Sequence, residues 1–457
     1  MHNINVFSFF TDPILRAPTI GCMLMCLGAS LVGVLVFLKK QSLIGEVLSH
    51  AAYPGVILGT LLAGFFSIKA SEEMQLALFA LIGALLTSFL GLWLIHLLQR
   101  RLKVTSDAAL CFVLSTFFGI GLTIASEVQF TFTTLYKQVL TYLYGQAATM
   151  TDIHIFIYGA LALLLSLLIL FFYKELQLTI FDAQYAKSLG LKVDVFNGLI
   201  FVLVTLAVII GIRCVGVVLM SAMLIAPAVA ARQFTERLLV MFFLAGCFGM
   251  FSGFLGVYSS VVLTEYFYLY SPQSQFNLPT GPMIVLVASF LCLLSLLFAP
   301  KRGVLIRLIR MISFRYDCIG ENVLKTLWRN GATLPQSLSD LARYQASSKL
   351  YLKIVLWGLM RQKAVQKNPT GSYFLTKSGF SQAERIVRLH RLWEVYLVEY
   401  LDVGAERVHK SAEEMEHILT FELERELTLL LNDPQKDPHH QPIPPMRSLY
   451  VSSSDAS

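Results

Sequence analysis

Charge is scarce in the first 300 of the 457 residues, with 14 basic and 12 acidic side chains for a net of +2. None falls within the apolar runs 19–38, 76–98, 153–173, 195–212 and 283–300. A hydrocarbon core of ~30 Å needs ~20 apolar residues per helix. A soluble fold is thereby excluded for this part, and an all-α polytopic membrane domain of about eight or nine segments is expected over 1–300. No CxxC pair occurs among the seven cysteines, six of which lie in the apolar part. That supports neither a thiolate zinc site nor a disulfide framework, and it suits a reducing compartment on the tail side. No GxxxxGK[ST] loop occurs anywhere, so P-loop binding of ATP is excluded; the chain is expected to bind no nucleotide and not to be an enzyme. The start, with only Arg16 before the first run, lacks the basic region of a cleaved signal peptide, and the first helix is expected to be retained.

After residue 300 the composition changes. Residues 301–380 carry 14 basic and 3 acidic side chains, whereas 381–457 carry 8 and 14. The first block suits an anionic surface, either DNA or the inner membrane face, and the second suits a cation. Short basic connections at 39–40, 100–103, 187–192 and 232–237 are expected on the cytoplasmic side, and Lys301, Arg302, Arg307 and Arg310 place the tail there too. The expected location is a bacterial inner membrane.

Within the tail, 301–320 reads as a basic linker. Helices are expected at 322–329, 338–344 and 347–361, the last with residues 350, 354, 355, 358 and 359 on its apolar face. Asn368-Pro369-Thr370-Gly371 sits between two short β-prone pieces, as in a hairpin. Three helices and a hairpin predict a winged helix-turn-helix at 321–380. Amphipathic helices at about 381–400 and 405–431 follow, giving a second tail domain at 381–435. Residues 436–457, rich in Pro and Ser, read as disordered.

Two of these helices carry metal-ligating side chains. His390 and Glu394 are at i and i+4, on one face. His409, Glu413, Glu416 and His417 follow at i, i+4, i+7 and i+8, also on one face. Imidazole and carboxylate without sulfur favour Fe²⁺ or Mn²⁺, with zinc as competitor. A solvated Glu-rich surface is the plainer alternative. In the apolar part, Glu46 and His50 lie one turn apart in LIGEVLSHAAYPGVILG, a Gly/Pro-broken segment able to expose ligands at membrane depth. For His50 the alternative is a packed histidine bonded to backbone.

The tail resembles the diphtheria-toxin-repressor family of iron- and manganese-dependent regulators over roughly 315–445. The matching stretches are LTKSGFSQAERIVRLHRLWEVYL, VHKSAEEMEHIL and PHHQPIPP. The resemblance implies that Glu413, Glu416 and His417 belong to a primary, activating metal site and that His390, Glu394 and His409 form an ancillary one. The family's first-helix ligand, Met or Asp, aligns with Asn322, and a second first-helix carboxylate of its manganese branch aligns with Lys325. The implied co-repressor is Fe²⁺ or Mn²⁺, and the implied partners are a DNA operator and a second copy of the repressor domain. Ser347, Ser348, Lys349 and Tyr351 are expected at base edges in the major groove, with Lys353 on phosphate.

Residues 10–300 resemble the permease subunits of ABC importers for zinc, manganese and iron, through SLIGEVLSHAAYPGVILG, FDAQYAKSLGL, VGVVLMSAMLIAPAVAAR and LPTGPMIVLVAS in that order. This implies a separate cytosolic ATPase docking near Phe181, Asp182, Ala183, Leu189 and Gly190. It also implies an extracytoplasmic metal-binding protein, a second permease subunit or a homodimer, and a metal path bordered by His50. The pairing resembles known fusions of a metal-importer permease to a metal-dependent regulator. Two functions are consistent with it: a transporter whose tail represses uptake genes, freed by proteolysis in 301–320, or a transporter whose tail is a metal-sensing gate without a DNA role.

Overall fold

The computed structural model describes residues 6–65, 73–131, 133–270, 277–331, 334–345, 347–404 and 406–446. The chain divides into two compact units, Met1–Ile306 and Arg307–Ser457. After a short α1 (Ser8–Thr11), the first unit contains α2 (Pro13–Leu38), α3 (Leu43–Phe65), α4 (Glu73–Arg100), α5 (Ser106–Thr131), α6 (Thr133–Tyr144), α7 (Asp152–Phe171), α8 (Tyr173–Phe181), α9 (Ala183–Ser188), α10 (Val193–Val215), α11 (Met220–Phe234), α12 (Leu238–Tyr270) and α13 (Thr280–Phe298). Among the described residues, eight of these helices are long and apolar enough to cross a membrane. The 15-residue α11 is not one of them.

Small residues set how closely these helices pack. A Cβ on Gly33 of α2 would meet the Leu224 carbonyl oxygen of α11 at 1.8 Å, and one on Gly55 of α3 would meet the Gly83 carbonyl oxygen of α4 at 2.1 Å. In a bilayer, where apolar side chains gain little by leaving lipid, such backbone contact drives association. The α2 and α3 spans are the most buried, at 67% and 78% of their windows, against 28% for α7 and α13. They form the centre, and side chains such as Trp93, Phe156 and Phe290 face outward.

The second unit contains most of α14 (Val304–Arg329), then α15 (Leu338–Gln345), α16 (Lys349–Arg361), the antiparallel β1 (Val365–Lys367) and β2 (Tyr373–Leu375), α17 (Lys377–Leu401), α18 (Val408–Met415) and α19 (Phe421–Leu430). Val323, Leu324 and Leu327 of α14, Leu341 of α15, and Leu352, Val355, Leu356 and Leu359 of α16 close one core with the hairpin. Gly379 lets α17 pass against the hairpin, since a Cβ there would lie 1.9 Å from the Ala364 carbonyl oxygen. Helix α17 ends at Asp402, whose φ of 50° is left-handed.

Four expectations change. The stretch read as a linker at 301–320 is helical from Val304 and runs without a break to Arg329. The core face of α16 is 352, 355, 356 and 359, while Leu350, Ile354 and Trp357 are 74%, 50% and 61% exposed; both sets satisfy helical spacing. The helix expected at 405–431 is two helices. Thr420 starts the second by accepting the Leu423 N–H at 3.4 Å, with Glu422 and Glu424 in its first turn. The segment 436–446 is ordered: Lys436 bridges Pro442, Ile443 is buried, and Arg388 donates to the Pro444 carbonyl at 2.7 Å. The remainder of that stretch, 447–457, lies outside the described residues.

Candidate metal centre and associated surfaces

One cluster of ligating atoms stands out in the tail. Among the described residues, His390, Glu394 and His409 form the group of three or more His, Cys, Asp or Glu side chains that could share one ion, with ligand atoms within 4.8 Å of one another. Helix α17 supplies the first two at i and i+4, and α18 brings His409 across so that its Nδ1 bonds Glu394 Oε1. The imidazole rings of His390 and His409 lie edge to face with centroids 5.0 Å apart. His390 and Glu394 are buried, and His409 faces an open cavity of about 480 Å³ that His439 and Asp437 also line. His390 Nε2 is buried and has no hydrogen-bond partner, although Glu394 Oε1 is 3.2 Å away. An unsatisfied buried nitrogen costs free energy, and a metal ligand is one role that explains its retention. Two imidazoles and a carboxylate suit Fe²⁺, Mn²⁺ or Zn²⁺, so the residues present fit a divalent ion here.

The second expected group is arranged differently. Glu416 is buried, but both its oxygens accept from the Lys325 ammonium, at 2.9 and 2.7 Å. Its Oε2 also lies 2.5 Å from His390 Nδ1. His417 Nδ1 contacts Glu321 Oε2 at 2.5 Å. Glu413 is exposed on α18, and Asn322 is half-buried on α14. The structure thus brings His390, Glu394 and His409 together; it gives Glu416 and His417 partners on α14 and leaves Glu413 at the surface.

The electrostatics follow from burial and pairing. Burial pushes the Glu416 carboxyl up, and the His390 hydrogen bond and Lys325 charge outweigh it, so the group sits below the usual carboxylate range. Burial likewise raises Glu394, and His390 and His409 bring it below that range. Lys325 is pushed down by burial more than Glu416 restores. Burial works to lower the His390 imidazole, but Glu394 and Glu416 leave it raised.

Sequence reasoning missed the roles of Lys325, Glu321 and His439, whose ring centroid is 5.8 Å from that of His409. Lys325 was visible as a basic residue where the manganese branch has a carboxylate, and His439 lay within the PHHQPIPP match.

The remaining expected residues fall on surfaces. Ser348 caps α16 by accepting the Tyr351 N–H at 3.3 Å. Lys349 and Lys353 are exposed, and Ser347 and Tyr351 are half-buried. Between α7 and α10, Asp182 caps α9 by accepting from Gln184 and Tyr185. Phe181 and Leu189 are 63% and 57% exposed, with Ala183 and Gly190 beside them and Gly190 at φ 81°. This exposed apolar projection lies in a connection read as cytoplasmic. In α3, Glu46 is half-buried and His50 is buried against Phe118, edge to face at 4.5 Å. His50 Nδ1 has no hydrogen-bond partner, so this nitrogen is not bonded to backbone.

Comparison with known proteins agrees with both halves. Residues 11–299 match the ABC 3 transport family, and residues 376–445 match the iron dependent repressor, metal binding and dimerisation domain. A probable metal transport system membrane protein of Chlamydia pneumoniae is 38% identical over 448 residues, covering 95% of this chain and 98% of its own. The manganese transport system membrane protein MntC of Bacillus subtilis is 34% identical over 389 residues, covering 84% of each chain. The solved structure of PsaBC from Streptococcus pneumoniae in complex with Fab matches with a TM-score of 0.54 and 27% identity, over 65% of this chain and 96% of that one. The chain is a multi-pass membrane permease subunit, not the ATPase, and it belongs to the ABC 3 transport family, with an iron-dependent-repressor metal-binding and dimerisation domain joined at its C-terminal end.

Proposed function

We propose that the membrane unit carries Fe²⁺ or Mn²⁺ inward and that the tail takes up the same ion and represses transcription from an operator as a dimer. Transport is driven by a partner ATPase seated on the Phe181–Leu189 projection and fed by an extracytoplasmic binding protein. The membrane unit works beside a second permease subunit or a second copy of itself. His50, buried with a free nitrogen in α3, borders the ion path, and Glu46 lies one turn before it; the segment read as broken is one continuous helix that contains Pro54. The observation that carries the reading is the convergence of His390, Glu394 and His409 on a chain whose other unit is a metal permease. A bound divalent ion would supply a cross-link between α17 and α18. On the DNA side, Ser347, Ser348, Lys349 and Tyr351 stand at the start of α16 for the major groove, and Lys353 reaches phosphate.

Release of the tail by cleavage within 301–320 completes this reading. Because α14 is helical from Val304, a protease needs local unfolding there or access at the turn 300–303. A second reading is that the tail regulates transport directly, as a metal-sensing gate without a DNA role; Asn322 and Lys325 lie on the first helix of the tail.

Fluorescence anisotropy of residues 307–457 on the DNA upstream of its own gene, with Mn²⁺ or Fe²⁺ added or chelated, tests the proposal. Metal-dependent, salt-sensitive binding lost in His409→Ala supports repression. Metal binding without DNA binding at any salt concentration transfers support to the gate.

A further inference from the structure

The tail's ion cluster and the Lys325–Glu416 pair meet at one imidazole, and that juncture determines what Glu416 can do. His390 Nδ1 lies 2.5 Å from Glu416 Oε2. Two lone pairs cannot approach so closely, so a proton lies between them and Nδ1 is the donor. The longer 3.2 Å approach of Lys325 Nζ to the same nitrogen is then a charge contact rather than a competing bond. With Nδ1 committed, Nε2 is the nitrogen that faces the cluster, 3.2 Å from Glu394 Oε1 and beside His409. The Lys325 ammonium meanwhile engages both oxygens of Glu416, the two side chains being 5% and 0% exposed. Both oxygens of Glu416 are therefore already engaged, and a fixed positive charge sits where an incoming ion would have to approach them.

Resting on the reading that an ion binds the His390–Glu394–His409 cluster, we propose that Lys325 permanently takes the place of a second cation. The tail then binds a single divalent ion, with Glu416 a positioning residue that orients His390 rather than a ligand. A carboxylate behind a ligating histidine fixes its tautomer and raises its basicity. Here that carboxylate is itself held by an ammonium. The pairing of His417 with Glu321 at 2.5 Å belongs to the same arrangement: of the three side chains expected at a second ion, Glu416 and His417 are engaged by α14, and Glu413 stands apart at the surface. The tail thus reports one occupancy, and α14 stays attached to α17 and α18 through Lys325 whether or not an ion is present.

Equilibrium dialysis of the full chain in nanodiscs against Mn²⁺, with bound metal counted by mass spectrometry, tests this. Any ions held by the membrane unit are common to all variants and cancel in the differences. Wild type should exceed His409→Ala by one Mn²⁺ per chain. Glu416→Gln should keep that stoichiometry at saturation with affinity reduced about 10–100-fold, the usual effect of losing such a partner. Lys325→Gln should also weaken the site, and His417→Ala should leave the count unchanged. The inference is overturned if Glu416→Gln or His417→Ala removes a whole equivalent that His409→Ala retains. If His409→Ala loses nothing, the cluster itself is not an ion site, and the underlying reading falls together with the inference.

Discussion

Lys325→Met removes the ammonium from a pair buried at 5% and 0% side-chain exposure while keeping most of the side-chain volume. Taking one partner from a buried pair costs ~3–5 kcal/mol, because the other charge remains desolvated and uncompensated. Glu416 retains the His390 Nδ1 hydrogen bond, so the loss should fall at the low end, about 3 kcal/mol. With an m-value of about 2 kcal/mol/M, that moves the urea midpoint of residues 307–457 down by about 1.5 M. The double variant Lys325→Met/Glu416→Gln leaves no orphan carboxylate and should recover more than half of the loss. Urea titrations followed by circular dichroism, with EDTA present so that no ion contributes, measure all three proteins. A single-variant shift below about 0.5 M would refute the claim that this pair is desolvated and interdependent. So would a double variant no better than the single.

Three other outcomes follow from the geometry. Lys353→Ala should weaken tail–DNA binding for all sequences alike and reduce the slope of log K against log salt by about 0.9, as expected for one lost phosphate contact; a sequence-selective loss with an unchanged slope would reassign this side chain. Gly379→Ala forces a Cβ to within 1.9 Å of the Ala364 carbonyl and should cost the tail ~1–3 kcal/mol, read as a lowered urea midpoint. In liposomes reconstituted with the ATPase and binding protein, His50→Leu should abolish ⁵⁴Mn uptake while ATPase assembly on the Phe181–Leu189 projection is retained; uptake at the wild-type rate would make His50 a packing residue.

Much of this was legible because hydrophobic runs and ligand offsets are local properties. Charge-free runs of membrane length located the spans, and the 390/394 pair is an i, i+4 spacing that survives in α17. The hairpin at 368–371 was set by its own turn residues, and Gly371 takes the positive φ that the turn requires. What failed depended on partners. The apolar pattern of α16 fits two faces, and only the positions of α14 and the hairpin decide that 352, 355, 356 and 359 turn inward. The 405–431 stretch reads as one helix by periodicity, yet Thr420 with Glu422 and Glu424 signals a second start, and the break places Glu416 and His417 in a turn rather than on a shared helical face. Pro-rich composition suggested disorder at 436–446, where Arg388 and Arg391 instead satisfy the carbonyls of Pro444 and Pro442. Nothing local in the sequence revealed that Lys325 would meet Glu416, 91 positions away.

The central claim is that one ion, held by His390, Glu394 and His409, makes the tail a metal sensor. Anomalous diffraction at the manganese edge, from crystals of residues 307–457 grown with Mn²⁺, tests it most directly. The account predicts one peak per chain, bonded to His390 Nε2, Glu394 and His409, with Lys325 still on Glu416. A peak ligated by Glu413, Glu416 and His417 with the lysine displaced, or no peak at the cluster, would contradict it.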